Sequence, residues 1–236
     1  MTADDRGNGI ADRLALVRRR ILEAALGSGR DPASVRLVAV TKGVAVERIR
    51  EAIEAGAVDL GENRAQELVE KMEALSEAGP LHRWHFVGTL QRNKVKLVAG
   101  RVALIHSVDS IELGRAIAER ATSYGAAQDA LLEVNVWGEE SKHGVSPEEA
   151  WGVVASLADV PGIRLRGLMT IAPAGAGIAT RAAFAGLREL RDRLRGELGG
   201  GSLEELSMGM TSDFEIAIEE GATIVRIGTA IFGNRP

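Results

Sequence analysis

Short β-branched runs alternate along the chain with longer stretches in which apolar residues recur at helical spacing. Val35 to Val40 (VRLVAV) reads as a strand between Pro32 and Gly43. Val44 to Ala55 reads as a helix with Val46, Ile49 and Ile53 on one face, ended by Gly56. The same unit then recurs. Strands are expected around Val58, Phe86, Ile105 and Val134, in RLRGLMTI, in EELSMG and in ATIVRIG. Helices are expected from about Ala65 to Ser76, from about Lys94, and over Ser110 to Ser123, Pro147 to Leu157, Arg181 to Leu198 and Ser212 to Glu219. Each strand but the last is followed by a helix, which argues a parallel sheet. Eight such units in one chain predict closure into a single (β/α)8 barrel over residues 1–236. A doubly wound open sheet is the rival. A helix near Leu14 to Leu26 precedes the first strand as an extra N-terminal cover, after a flexible terminus of about nine residues. The Gly-rich stretches Ala172 to Gly177 and Gly199 to Gly201 read as loops, the first as a candidate lid.

Composition narrows the chemistry. The net charge of −4 argues against a broad grip on nucleic acid. With no cysteine, disulfides, thiolate catalysis and Cys-based zinc sites are excluded, and His82 and His85 lack metal-ligand spacing, so no metal is expected. The acidic start lacks the order of a secretory signal, and no apolar run is long enough to span a bilayer. A soluble, cytoplasmic chain is expected, as a monomer or weak dimer, with no membrane partner.

In a parallel barrel the working face is the carboxyl end of the strands. Lys42 closes the first strand, where desolvation would expose the neutral amine needed to attack a carbonyl; the bland alternative is a lysine snorkelling to solvent. Gly228 and Thr229 follow the eighth strand, where barrels often bind phosphate, and Ser207 to Gly209 close the strand beside it. Thr211, Ser212 and Asp213 read more simply as helix capping. His85 lies among aromatics, where packing is the commoner role. An imine-forming lysine beside a phosphate cradle points to a phosphorylated aldehyde: pyridoxal 5′-phosphate (PLP), or the substrate of a cofactor-free Schiff-base aldolase.

The segments LVAVTK, DLGENRAQE, WHFVGTLQRNK, EVNVWGEESKHG, RGLMTIAP, LSMGMTSDFEIAI and VRIGTAIFG, in this order, resemble the YggS/PROSC family of PLP homeostasis proteins. The resemblance implies a single barrel like the N-terminal domain of alanine racemase and PLP held as a Schiff base on Lys42. It places the phosphate at Ser207, Gly228 and Thr229 with Gly209 close by, sets Arg226 against the pyridine nitrogen, and lines the ring pocket with Asn63, His85 and Met169. It also implies intracellular PLP homeostasis without strong turnover, with apo PLP-dependent enzymes as possible recipients and a weak amino-acid racemase as the alternative. Thr41, Gly43, Thr211 and Trp137 depart from the family's usual residues; the first and third keep a hydroxyl. An always-charged arginine against the pyridine nitrogen weakens the ring as an electron sink. Racemisation also needs an acid/base group on each ring face, and the single tyrosine, Tyr124, falls on a helix between the fourth and fifth strands.

Overall fold

The computed structural model describes residues 9–77, 82–138, 143–173, 177–198 and 202–233. Eight parallel strands are β1 (Arg36–Val40), β2 (Asp59–Glu62), β3 (Arg83–Phe86), β4 (Leu104–Val108), β5 (Gln128–Glu133), β6 (Ile163–Met169), β7 (Glu205–Ser207) and β8 (Ile224–Ile227). They form a closed barrel in chain order. Pairing of β1 with β8, from Arg36 opposite Ile224 to Ala39 opposite Ile227, removes the open-sheet alternative.

The strand period of two sorts the residues onto two cores. Ala39, Leu60, Trp84, Phe86, Ile105, Leu132, Leu168, Leu206 and Val225 point outward into the layer beneath the helices. Val38, Leu104, Leu131, Met169 and Ile224 point inward and pack together on the barrel axis. At the amino end of the strands the bore is lined by ion pairs: Arg83 holds Asp59 through two bonds of 2.9 Å, Arg36 meets Glu205 at 3.3 Å, and Arg164 meets Asp129 at 2.6 Å.

Nine helices are found among the described residues: α1 (Ile10–Gly27), α2 (Val46–Glu54), α3 (Ala65–Ala74), α4 (Val95–Val98), α5 (Ile111–Thr122), α6 (Ala150–Ala158), α7 (Ile178–Glu197), α8 (Phe214–Glu219) and α9 (Thr229–Phe232). None is long and apolar enough to cross a membrane. The helix expected from Lys94 is a single turn, closed by Gly100 at φ +79°. The strand expected around Val134 ends one residue earlier, because Val134 forms an isolated bridge with Val145. The α6 helix starts three residues after Pro147; Ser146 and Glu149 form a reciprocal capping box before it, Glu149 accepting from the Ser146 N–H at 3.0 Å and Ser146 Oγ from the Glu149 N–H at 3.3 Å.

The leading helix is more than an added cover. Among the described residues the segment after β8 contains only the four-residue α9, too short to occupy the last place in the outer ring. The α1 helix packs against α8, α9 and α2 and fills it. Its stripe Ile10, Leu14, Val17, Ile21 and Ala25 is buried at helical spacing. Arg18 donates to the Gly56 carbonyl at 2.6 Å beyond α2, and Arg20 Nε to Glu215 at 2.6 Å on α8. Leu14 is 1% exposed, so Leu14→Ala is expected to lower stability by about 2–5 kcal/mol, a core-cavity cost rather than a surface one. Urea unfolding checks this; a loss under about 0.5 kcal/mol, the surface range, would mean that α1 is a detachable appendage.

Candidate functional site

The carboxyl ends of the strands gather the polar residues that a packed barrel end has little use for. Lys42 follows β1 and is half-buried, in a turn held from beneath by an ionic cluster. The Thr41 hydroxyl lies 2.8 Å from Glu62 Oε1 and 3.1 Å from the Gly61 carbonyl. Lys71, from α3, is 5% exposed and donates to the Thr41 carbonyl at 2.7 Å, to Glu62 at 2.9 Å and to Glu67 at 2.7 Å. Glu67 in turn accepts the Gly43 N–H at 2.7 Å. Burial pushes the Glu62 carboxyl up, with Lys71 and Thr41 opposing. Burial acts the same way on Glu67, but the bonds from Lys71 and Gly43 outweigh it and leave that carboxyl low. Both sides of Lys42 are therefore anchored: Thr41 by its hydroxyl and carbonyl, Gly43 by its N–H. Gly43 sits at φ +67°, a left-handed conformation that explains glycine at this departure from the family pattern.

Arg226, on β8 next to β1, is 5% exposed. Its Nη1 donates to Ser207 Oγ at 2.5 Å and its Nη2 to the Thr170 carbonyl at 3.0 Å. Burial lowers its pKa to about 10, with Glu133 and Asp213 opposing, so it remains a cation at neutral pH. Glu133 ends β5, and burial pushes its carboxyl up despite the nearby Arg226. Behind Ser207 a hydrogen-bonded row runs down the axis. His106 Nδ1 lies 2.8 Å from Ser207 Oγ, His106 Nε2 3.0 Å from His85 Nδ1, and His85 Nε2 2.9 Å from Asp59.

On the β7–β8 side, Gly209 is buried at φ +92°, and a Cβ there would stand 2.6 Å from Ala217 Cβ. Thr211 Oγ1 accepts the Ala230 N–H at 3.4 Å, joining the loop after β7 to the start of α9, where Gly228 and Thr229 lie. Asp213 holds the N-cap position of α8, yet its carboxylate reaches back to the Met210 N–H at 2.6 Å and closes the loop instead.

The expected residues therefore separate by depth. Lys42, Asn63, Met169, Gly209, Arg226, Gly228 and Thr229 come to the carboxyl ends of strands or the loops just beyond them. Asn63 Oδ1 is buried there with no hydrogen-bond partner. Met169 belongs to the inner apolar core. His85 lies one layer lower, level with Gly61 and Leu104, with both ring nitrogens engaged. The Ser207 hydroxyl faces His106 and Arg226 inside the bore. Tyr124 is 52% exposed in the turn between α5 and β5, at the amino end of the strands, where Arg120 stacks on it. Part of the candidate lid, residues 174–176, and the whole of Gly199 to Gly201 lie outside the described residues. Sequence reading placed Glu62 and His106 at strand ends without assigning either a role, and assigned none to Glu67 or Lys71. The only signal for them was the chemistry-bearing residue type at a strand end or on the inner face of α3.

Residues 22–236 match the family model described as alanine racemase, N-terminal domain. A curated relative from Aquifex aeolicus, a pyridoxal phosphate homeostasis protein, is 46% identical over 225 residues, covering 95% of this chain and 97% of the relative. The chain belongs to the pyridoxal phosphate homeostasis protein family. PipY of Synechococcus elongatus has been solved with PLP bound; it matches at TM-score 0.84 and 37% identity, covering 95% of this chain and all of PipY. Alanine racemase of Clostridium difficile shares the fold at TM-score 0.69 with 18% identity, and this homeostasis-family chain spans 56% of that enzyme's length.

Proposed function

We infer that this chain binds pyridoxal 5′-phosphate at the carboxyl end of the barrel, through Lys42, and serves PLP storage and supply rather than a turnover reaction. When bound, PLP supplies an aldehyde that forms a Schiff base with an amine, a ring that can act as an electron sink, and a phosphate. The residues present fit that group. A half-buried amine just after β1 and a buried guanidinium on the adjacent strand β8 stand at this end of the barrel. The loops after β7 and β8 meet through Thr211 and the Ala230 N–H, and Gly209 and Gly228 keep the backbone there free of side chains, since a Cβ would stand 2.6 Å from Ala217 Cβ and 3.2 Å from the Val40 carbonyl oxygen. The Asn63 Oδ1 atom awaits a donor. Lys42 would hold the aldehyde carbon, Arg226 the ring nitrogen, and Gly209, Gly228 and Thr229 the phosphate, with Asn63 and Met169 beside the ring and Ser207 and His85 supporting from below. The PLP-bound PipY relative and the shared family name support this reading.

Arg226 is the observation that carries it. A guanidinium that stays charged donates a hydrogen bond to a ring nitrogen but does not give up its proton, so the ring's electron sink is weak. Tyr124, at the opposite end of the barrel, is not placed to serve as a base on either ring face. Carriage also implies release to apo PLP-dependent enzymes.

Purified protein mixed with PLP is expected to show a visible absorbance band that borohydride bleaches. Peptide mapping should then find the reduced adduct on Lys42 alone among the five lysines. A band that persists in Lys42→Ala would refute the assignment. Steady racemisation of an amino acid by the loaded protein would refute the carrier role.

A further inference from the structure

The row of polar residues along the barrel axis admits only one arrangement of protons. Asp59 accepts two bonds from Arg83 as well as one from His85. A carboxylate so held is an acceptor only, so His85 carries its proton on Nε2. The ring is neutral, because burial pushes its pKa down. His85 Nδ1 is then bare and accepts, and His106 Nε2, 3.0 Å away, must be the donor. His106 is wholly buried and also neutral, so its Nδ1 is bare in turn and takes the Ser207 hydroxyl proton at 2.8 Å. Ser207 has a single proton, and it is committed. What its oxygen offers Arg226 Nη1 at 2.5 Å is a lone pair. The chain thus runs in one direction, from the buried cation Arg226 to the buried anion Asp59, through three neutral links.

We propose that His106 is a positioning residue for the cofactor site: by taking the Ser207 proton, it turns the Ser207 oxygen into the acceptor that aims the Arg226 guanidinium. This rests on the reading that Arg226 faces bound PLP. It reassigns Ser207 from a phosphate donor to the link between His106 and Arg226. Without the His106 acceptor, the Ser207 hydroxyl would turn its proton elsewhere and the guanidinium would lose one of its two fixed acceptors.

The first test needs no PLP. Nitrogen-15 NMR of histidine rings in the unliganded protein, assigned with His85→Asn and His106→Asn, is expected to find both rings neutral with the proton on Nε2. A His106 proton on Nδ1 would overturn the proposal. The second test is PLP titration of two variants. His106→Leu removes the acceptor and is expected to weaken PLP binding about tenfold and to shift the absorbance maximum of the bound cofactor. His106→Asn keeps a carboxamide oxygen toward Ser207 and should restore the wild-type maximum, with affinity within about threefold. A folded His106→Leu protein with wild-type affinity and spectrum would overturn the proposal. Should that variant fail to fold, Ser207→Ala breaks the same link and is expected to reproduce the shift; an unchanged spectrum there would also overturn it. Absence of PLP uptake by the wild-type chain would overturn the functional reading beneath the proposal, and the tautomers, measured without PLP, tell the two failures apart.

Discussion

Replacing Lys71 by methionine is expected to lower stability by about 3–5 kcal/mol, the range for removing one partner of a buried ion pair. Lys71 and Glu62 have side chains only 6% and 0% exposed, and one ammonium serves Glu62, Glu67 and the Thr41 carbonyl together. Methionine has similar length but no donor. It would leave the Glu62 carboxylate buried opposite apolar atoms, and burial already pushes that carboxyl toward its neutral form. Adding Glu62→Gln removes the stranded charge and should recover part of the loss, a non-additivity of about 1 kcal/mol or more. Urea unfolding of the two single variants and the double variant checks this. A Lys71→Met loss below about 1 kcal/mol would place the cluster in the class of exposed ion pairs. A second effect follows at the site. Lys71 anchors Thr41 directly and Gly43 through Glu67, so both flanks of Lys42 lose their hold. PLP affinity should fall even under conditions where the variant is fully folded.

Stability is expected to fall on acidification from about pH 7 to about pH 5, above the range in which exposed carboxylates titrate. His85 and His106 are held neutral inside the barrel, their pKa values lowered from the ordinary 6.5 chiefly by burial. For His85 the Asp59 hydrogen bond offsets only part of that. On unfolding, both rings return to their ordinary affinity for protons. Below that ordinary value the unfolded chain binds more protons than the folded one, so stability is complete above it and drains away as pH falls. Each ring contributes at most about 1.4 kcal/mol per pH unit, so the pair approaches about 2.7 kcal/mol per unit. Further down, Asp59 adds a loss of its own. Burial raises its pKa, but the bonds from His85 and Arg83 outweigh this and leave it below the ordinary 3.8. Urea unfolding at a series of pH values measures the slope, and His106→Asn should remove about half of it. A stability independent of pH across this range would mean that one or both rings are charged in the folded protein.

The barrel was largely legible along the chain because burial imposes periodicities that residues must obey locally. Apolar runs such as VRLVAV and GLMTI cannot be solvated, and the helices between them carry their stripes at fixed spacing. Ends were less legible. The one-turn α4 and the late start of α6 depend on Gly100 and on the Ser146–Glu149 box, which act over a single turn. The role of α1 was not legible at all, since α9 is too short to fill the outer ring and that shortfall shows only when β8 closes on β1.

The positions of Lys42 and Gly228 at the carboxyl ends of β1 and β8 could be read from the chain alone, because a strand end in a parallel barrel points to one face whatever surrounds it. Arg226 was placed by motif, but its two acceptors, the Thr170 carbonyl just after β6 and the Ser207 hydroxyl at the end of β7, are distant in the chain. Lys71 looked like any helix lysine; it is buried only because α3 lays it against the end of β1. His85 and His106 are separated by 20 intervening residues, and Ser207 by another hundred. Local pattern records which side of a strand a residue faces. Which polar groups meet inside the bore, and therefore where each proton resides, depends on the register of eight strands around a closed ring, a condition no single segment contains.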